Sequence, residues 1–304
     1  MGSLRVTQNI IVQRTLSSLS DQTRRLLALQ EQISTGQRVN RPSDDPIDAR
    51  RGVNLRLLIG QNEQFIGNIS DVASQLNETT TTLQDVVDNL QRARELTLQG
   101  ASGTNAQNQL DGIAEEIDQI LEGLVVAGNH QTNGRFIFGG SRTLSEAFDV
   151  TRNVGGEVTA VTFAGDAERI NVAISEGIVV SYNEPGSSIF QGTSDIFQTL
   201  IDIRDNLRAG NQAALQTARL DEIDDGLEAV LRGQARLGAI QNRLERVSAS
   251  TEDFIVQLRG VLSEKIDADV SETFVEFNVQ TNVFNAALNA ASRVIQPSLL
   301  DFIR

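Results

Sequence analysis

The chain has 304 residues, room for two average domains or one elongated one, and an apolar content of 39% that suits long helices with one wet face. A net charge of −14 disfavours bulk binding to nucleic acid or to an anionic membrane, and the absence of cysteine removes disulfides, thiolate catalysis and cysteine metal sites together. A single histidine (His130), a single lysine (Lys265) and no Gly-x-Gly pair leave no zinc helix of the His-Glu-x-x-His type, no Walker-type phosphate loop and no dinucleotide fingerprint.

Residues 4–35 read as one helix. Val12, Leu16, Leu19, Thr23, Leu26, Gln30 and Ile33 recur in steps of four and three, the spacing of a seam that packs on another helix. Gly36 suits the left-handed position just past a helix end. Residues 36–46 cannot continue the helix, because Pro42 and Pro46 forbid it and Ser43, Asp44 and Asp45 compete for backbone hydrogen bonds. Pro46 fits the first turn of the next helix, with Asp45 or Asp44 as its cap.

Helical spacing resumes from Ile47 to about Gln99, with apolar positions including Leu55, Leu58, Ile69, Leu76, Leu83, Leu90 and Leu96. Gly52, Gly60 and Gly67 weaken it, so a helix this long needs packing. After a turn at 100–105, a third helix to about Gly128 turns Leu110, Ile113, Ile117, Ile120, Leu121 and Leu124 inward. Asn133-Gly134 marks a turn. Residues 135–140, 157–163, 169–175 and 177–182 are short, β-branched and alternating, as strands of a small hairpin subdomain are.

Thr193-Ser-Asp then caps a return to helix, over about 194–209 and 212–265. Asp267-Ala-Asp-Val interrupts it. A second seam follows: Val270, Phe274, Phe277, Thr281, Phe284, Leu288, Ala291 and Ile295, ended by Pro297. The expected fold is mainly α: an elongated antiparallel helical bundle, or coiled coil, of paired N- and C-terminal helices, with a small β-hairpin subdomain inserted mid-chain. The expected divisions are 1–46, 47–133, 134–192, 193–266 and 267–304.

Two seams at opposite ends can pair with each other, with other copies, or both, which points to assembly rather than catalysis. The polar members Thr23, Gln30 and Thr281 suit a packing that selects one neighbour. Residues 1–35 and 270–304 are expected to be mobile in a monomer and helical in an assembly.

Sites for chemistry are few. Asp267-x-Asp-x-Ser opens like a calcium loop, but Glu272 stands where the loop needs glycine and Asn278 where it needs glutamate, so a helix cap is expected. Asp221, Glu222, Asp224, Asp225 and Glu228 read as a solvated face, and His130 as a surface residue. No catalytic residue, metal or cofactor is expected. No run reaches the roughly 18 apolar residues of a membrane span. Residues 1–9 lack the layout of a cleaved signal peptide, so export would read another signal.

Ile33-Ser-Thr-Gly-Gln-Arg-Val-Asn-Arg-Pro-Ser-Asp-Asp-Pro resembles the segment after the first helix in flagellin-like axial proteins of the bacterial flagellum. Its Pro-Ser-Asp-Asp-Pro form is similar to the hook-associated proteins of the hook–filament junction. Asn133-Gly-Arg-Phe-Ile-Phe-Gly-Gly, Val161-Thr-Phe-Ala-Gly-Asp, Gly192 after Ile189-Phe190, and the ending Ser298-Leu-Leu-Asp-Phe-Ile resemble that family too, in order along the whole chain.

The resemblance implies a structural subunit joining the hook, through a hook-associated adaptor, to the flagellin filament. The chain would sit outside the cell in the flagellum, exported by the flagellar type III route with an export chaperone. Its partners would be itself, as a ring or helical oligomer, the adaptor and flagellin, with no nucleic acid and no membrane. The family motif loop maps onto Gly36, Arg38, Val39, Asn40, Arg41, Pro42, Ser43, Asp44, Asp45 and Pro46. The self-assembly seam maps onto Val12, Leu16, Leu19, Leu26, Ile33, Val270, Phe274, Phe277, Phe284, Leu288 and Ile295. A short flagellin, the bulk filament subunit, is the alternative. A helical signalling module is a more distant one, and it leaves the strands of 134–190 unexplained.

Overall fold

The computed structural model describes residues 2–103, 105–216 and 218–295, with side chains over 10–103, 105–216 and 218–292. Pro297 and the tail motif at 298–303 lie outside the described residues. The order is α1 (Gly2–Thr35), α2 (Pro46–Gly100), α3 (Gln107–Gly128), β1 (Gln131–Thr132), β2 (Arg135–Phe136), β3 (Phe148–Arg152), β4 (Val158–Phe163), β5 (Asn171–Ser175) and β6 (Ile178–Ser181). Helices α4 (Gly186–Phe190), α5 (Ile196–Arg208), α6 (Gln212–Leu215), α7 (Ala218–Ile266) and α8 (Val270–Ile295) complete it. The fold is mainly α, with long helices at both ends and small antiparallel hairpins between them. No helix of the described residues is long and apolar enough to cross a membrane.

The chain divides into two units, residues 62–253 and residues 1–61 with 254–304. The first holds the main core. Its α2 segment buries Ile69, Val72, Leu76, Leu83, Val86, Leu90 and Leu96 at helical spacing, and α3 buries the six apolar positions expected of it. Helix α5 packs against α3, and its N-terminus is capped by Asp195, whose carboxylate accepts from the Gln198 N–H. Phe138, Phe148, Phe190 and Phe197 close the core where the hairpins meet the helices, with ring centroids 5.0–5.4 Å apart. Their edge-to-face and stacked pairing places the hairpins on the bundle.

The sheets are three separate hairpins, β1–β2, β3–β4 and β5–β6, each antiparallel. Asn133 and Gly134, both at positive φ (52° and 73°), form the β1–β2 turn that the dipeptide announces. Two expectations differ. The run 135–140 is strand only at Arg135–Phe136. Ile137 and Phe138 leave it to enter the core, and Gly140, at φ 70°, packs so closely on Asp166 that a Cβ would come 2.1 Å from its carbonyl oxygen. Strand β3 was not expected, because Asp149 and Arg152 break up an apolar run in which only Phe148 is fully buried.

The second unit comprises α1, the first turns of α2, the last turns of α7, and α8. Ile59, Ile255, Leu258 and Ile266 are buried in it. Gly52 is required by close approach, since a Cβ there would lie 2.7 Å from Ile266 Cδ1.

Candidate assembly surface

Helix α1 ends where expected. Gly36 adopts φ 71° and its N–H donates to the Gln32 carbonyl at 2.8 Å. The next residues zip onto the α7–α8 connection. The Arg38 and Val39 N–H groups both donate to the Ile266 carbonyl (2.7 and 3.2 Å), and the Ala268 N–H donates to the Gly36 carbonyl (2.9 Å). Gln37 and Asp267 form an isolated antiparallel bridge. The Arg38 guanidinium reaches the Asp48 carboxylate (2.9 Å) and the Lys265 carbonyl (2.8 Å). Val39 is buried beneath.

The acidic pair of the loop divides its work. Asp44 accepts from the Arg41 and Asn40 N–H groups (2.8 and 3.1 Å), folding the loop on itself, and Arg41 pairs with Glu31. Asp45 accepts from the Ile47 and Asp48 N–H groups, both at 2.9 Å, and caps α2, with Pro46 as its first residue. Those two N–H groups, the Asp48 one above all, hold the Asp45 carboxyl below its ordinary value. Pro42 and Ser43 stay exposed at the tip. Asp269 caps α8 in the same manner, accepting from Ser271 and Glu272.

Residue 37 pairs with 267, and residues 25–29 share a groove of about 440 Å³ with 275–280, so α1 and α8 run antiparallel. The half-buried side of α1 is Val12, Thr15, Leu19, Gln22, Leu26, Leu29 and Ile33. On α8 the covered positions are Thr273, Phe277, Gln280, Phe284, Ala287 and Ala291, with Thr281 at their margin. Of the expected seam, Val12, Leu19, Leu26, Ile33, Phe277 and Phe284 are in this contact. Leu16 (52% exposed), Phe274 (55%), Val270 and Leu288 are not, and neither are Thr23 and Gln30. The side chain of Ile295 lies outside the described residues.

The row that residue type alone did not reveal is Thr15, Gln22 and Leu29 with Thr273, Gln280 and Ala287. It is mostly polar or small, so apolar spacing points one position away, to Leu16, Phe274 and Leu288. The chain therefore covers the less apolar of two available rows. Ile10, Ile11, Leu16 and Leu27 on α1, and Val270, Phe274, Val275, Val279, Val283 and Leu288 on α8, remain exposed. Gln22 Oε1 is buried without a hydrogen-bond partner among the described residues, a further cost to the contact.

Elsewhere three of the five members of the acidic cluster on α7 form ion pairs: Asp224 with Arg94 (2.6 Å), Glu222 with Arg219 (2.5 Å) and Glu228 with Arg232 (2.7 Å). His130 Nε2 lies 3.0 Å from Glu78 Oε1. Among the described residues no group of three or more His, Asp or Glu is placed to hold a metal ion.

A family model for the bacterial flagellin N-terminal helical region matches residues 6–143. Flagellar hook-associated protein 3 of Salmonella typhimurium is 25% identical over 95% of this chain and 95% of its own length. The crystal structure of Bacillus cereus FlgL is 26% identical with a TM-score of 0.56, covering 69% of this chain and 99% of that one. The flagellar junction protein FlgL from Legionella pneumophila, at 17% identity and a TM-score of 0.59 over 71% and 99% of the two chains, shows the same fold. Over nearly its whole length the chain is similar to flagellar hook-associated proteins, and over residues 6–143 to the flagellin N-terminal helical region.

Proposed function

We propose that this chain is a structural subunit of the bacterial flagellum that joins the hook, through a hook-associated adaptor, to the flagellin filament, and that it has no catalytic role. The observation that carries this is the arrangement of α1 and α8. Their mutual contact includes the polar residues Thr15, Gln22, Thr273 and Gln280, while Leu16 and Leu27 on α1 and Val270, Phe274, Val275, Val279, Val283 and Leu288 on α8 stay exposed outside it. Large apolar side chains left exposed in this number on two packed helices mark an interaction site. Neighbouring copies, the adaptor and flagellin are the partners that would cover it. The likeness to hook-associated protein 3 along nearly the whole of both chains supports the same reading.

In this account α1 and α8 form the inner part of a ring or helical oligomer. The loop 36–46 ties the end of α1 to the α7–α8 connection. Export follows the flagellar type III route, with a chaperone shielding the exposed apolar side chains before assembly. A flagellin role is the second reading, favoured by the match to the flagellin N-terminal region. Deletion of the gene separates the two. Hooks that shed flagellin into the medium, restored by the wild-type chain, are the expected result. Purified chain that alone grows micrometre-long filaments would favour flagellin.

A further inference from the structure

Charge is unevenly divided. Residues 62–253 hold 29 of the 40 Asp and Glu but only 13 of the 26 Lys and Arg. On α2, Asp71, Ser74, Glu78, Thr81, Asp85 and Asp88 recur in steps of three and four, and all are exposed. Glu78, Asp85 and Asp88 form one wall of an open groove of about 430 Å³, opposite Gly123, Val126 and Ala127 of α3. Gly123 and Ala127 are small enough to let a helix backbone approach, and Val126, 69% exposed, supplies an apolar contact. His130 and Gln84 engage Glu78 and Asp88, while the Asp85 carboxylate has no partner among the described residues. An amphipathic helix bearing arginines fits such a groove.

The chain carries a face of that description in its other unit. At the start of α2, Arg50, Val53 and Leu57 share one side, with Val53 and Leu57 54% and 61% exposed, and Arg56 flanks them. Arg50 and Arg56 make no ion pair with any described residue. Resting on the assembly role, we propose that the α2–α3 groove of one copy receives the Arg50–Leu57 face of a second copy. The occupant is a second copy, whose α2 carries the same basic and apolar face. The two patches differ, so the contact is heterologous and propagates from copy to copy into a ring or helix. Arginine opposite carboxylate sets partner and register, with Leu57 and Val126 as the apolar core.

The absence of cysteine gives a clean test. Flagella are isolated from cells expressing a mixture of Leu57→Cys and Val126→Cys chains and then oxidised. A disulfide-linked pair containing one chain of each kind is expected. Arg50→Glu/Arg56→Glu should lower incorporation at least about tenfold, and adding Asp85→Arg/Asp88→Arg to the same chain should restore it. If the cysteine chains enter the flagellum without the mixed adduct, or the second pair of reversals fails to restore entry, this contact is wrong while the assembly role stands. If the wild-type chain never enters a flagellum, the assembly role fails and this inference with it.

Discussion

Arg204 carries its charge into the interior of the 62–253 unit. Its guanidinium is fully shielded and bonds Asp118 (2.7 Å), Asp205 (2.9 Å) and the Val158 carbonyl (2.8 Å), tying α5 to α3 and β4. These carboxylates and bonds raise its pKa against the pull of burial, so it stays charged. Arg204→Ala should cost on the order of 2–3 kcal/mol, because Asp118 and a buried carbonyl lose their donor together. Denaturant unfolding with an unchanged m-value would register it. Asp166 offers a test in pH. Its carboxylate accepts from the Ser141 hydroxyl and N–H and from the Glu168 N–H, which together hold its pKa below the ordinary 3.8. A carboxyl depressed in the folded state stabilises it fully above the unfolded value, and that contribution is lost as pH falls through the folded value. The melting temperature should therefore fall below pH 3.8, and Asp166→Asn should make that fall shallower.

The long helices differ in what their glycines do, and the difference is measurable. At Gly60 nothing lies within 4 Å of an added Cβ, whereas at Gly52 the Ile266 side chain occupies the space. Gly60→Ala should stabilise α2 by about 1 kcal/mol through helix propensity. Gly52→Val should destabilise the same unit, since Ile266 is buried and has little room to move. Thermal melts of the two variants should shift in opposite directions. Long periodic helices are legible in sequence for the reason that makes them stable. The inward positions of α3 and the caps Gly36, Asp195 and Asp269 could be read from residue type and spacing, and Asp45 as one of two candidates beside Asp44. What could not be read was which of two adjacent rows α1 and α8 would share, because Thr15, Gln22, Thr273 and Gln280 carry no apolar signal. Strand β3 and the short α4 were hidden similarly: each is held by Phe148 or Phe190 entering the phenylalanine core, a tertiary effect that local patterning does not encode.

At the scale of the whole molecule, fold and assembly should be separable. Phe284 is half-buried in the α1–α8 contact and belongs to neither the core of residues 62–253 nor the loop 36–46. Phe284→Asp should leave a soluble chain whose α2, α3, α5 and α7 retain normal circular dichroism and melting, yet should abolish entry into the flagellum, as electron microscopy of complemented cells would show. Persistence of attached filaments would remove the terminal helices from the assembly surface. The most direct measurement is amide hydrogen exchange on a dilute monomer and on the same chain in isolated flagella. Over residues 10–35 and 270–292, weak protection in the monomer and strong protection in the flagellum are predicted, with α3 and α5 protected in both. Strong, concentration-independent protection of α1 and α8 in the monomer would contradict the account.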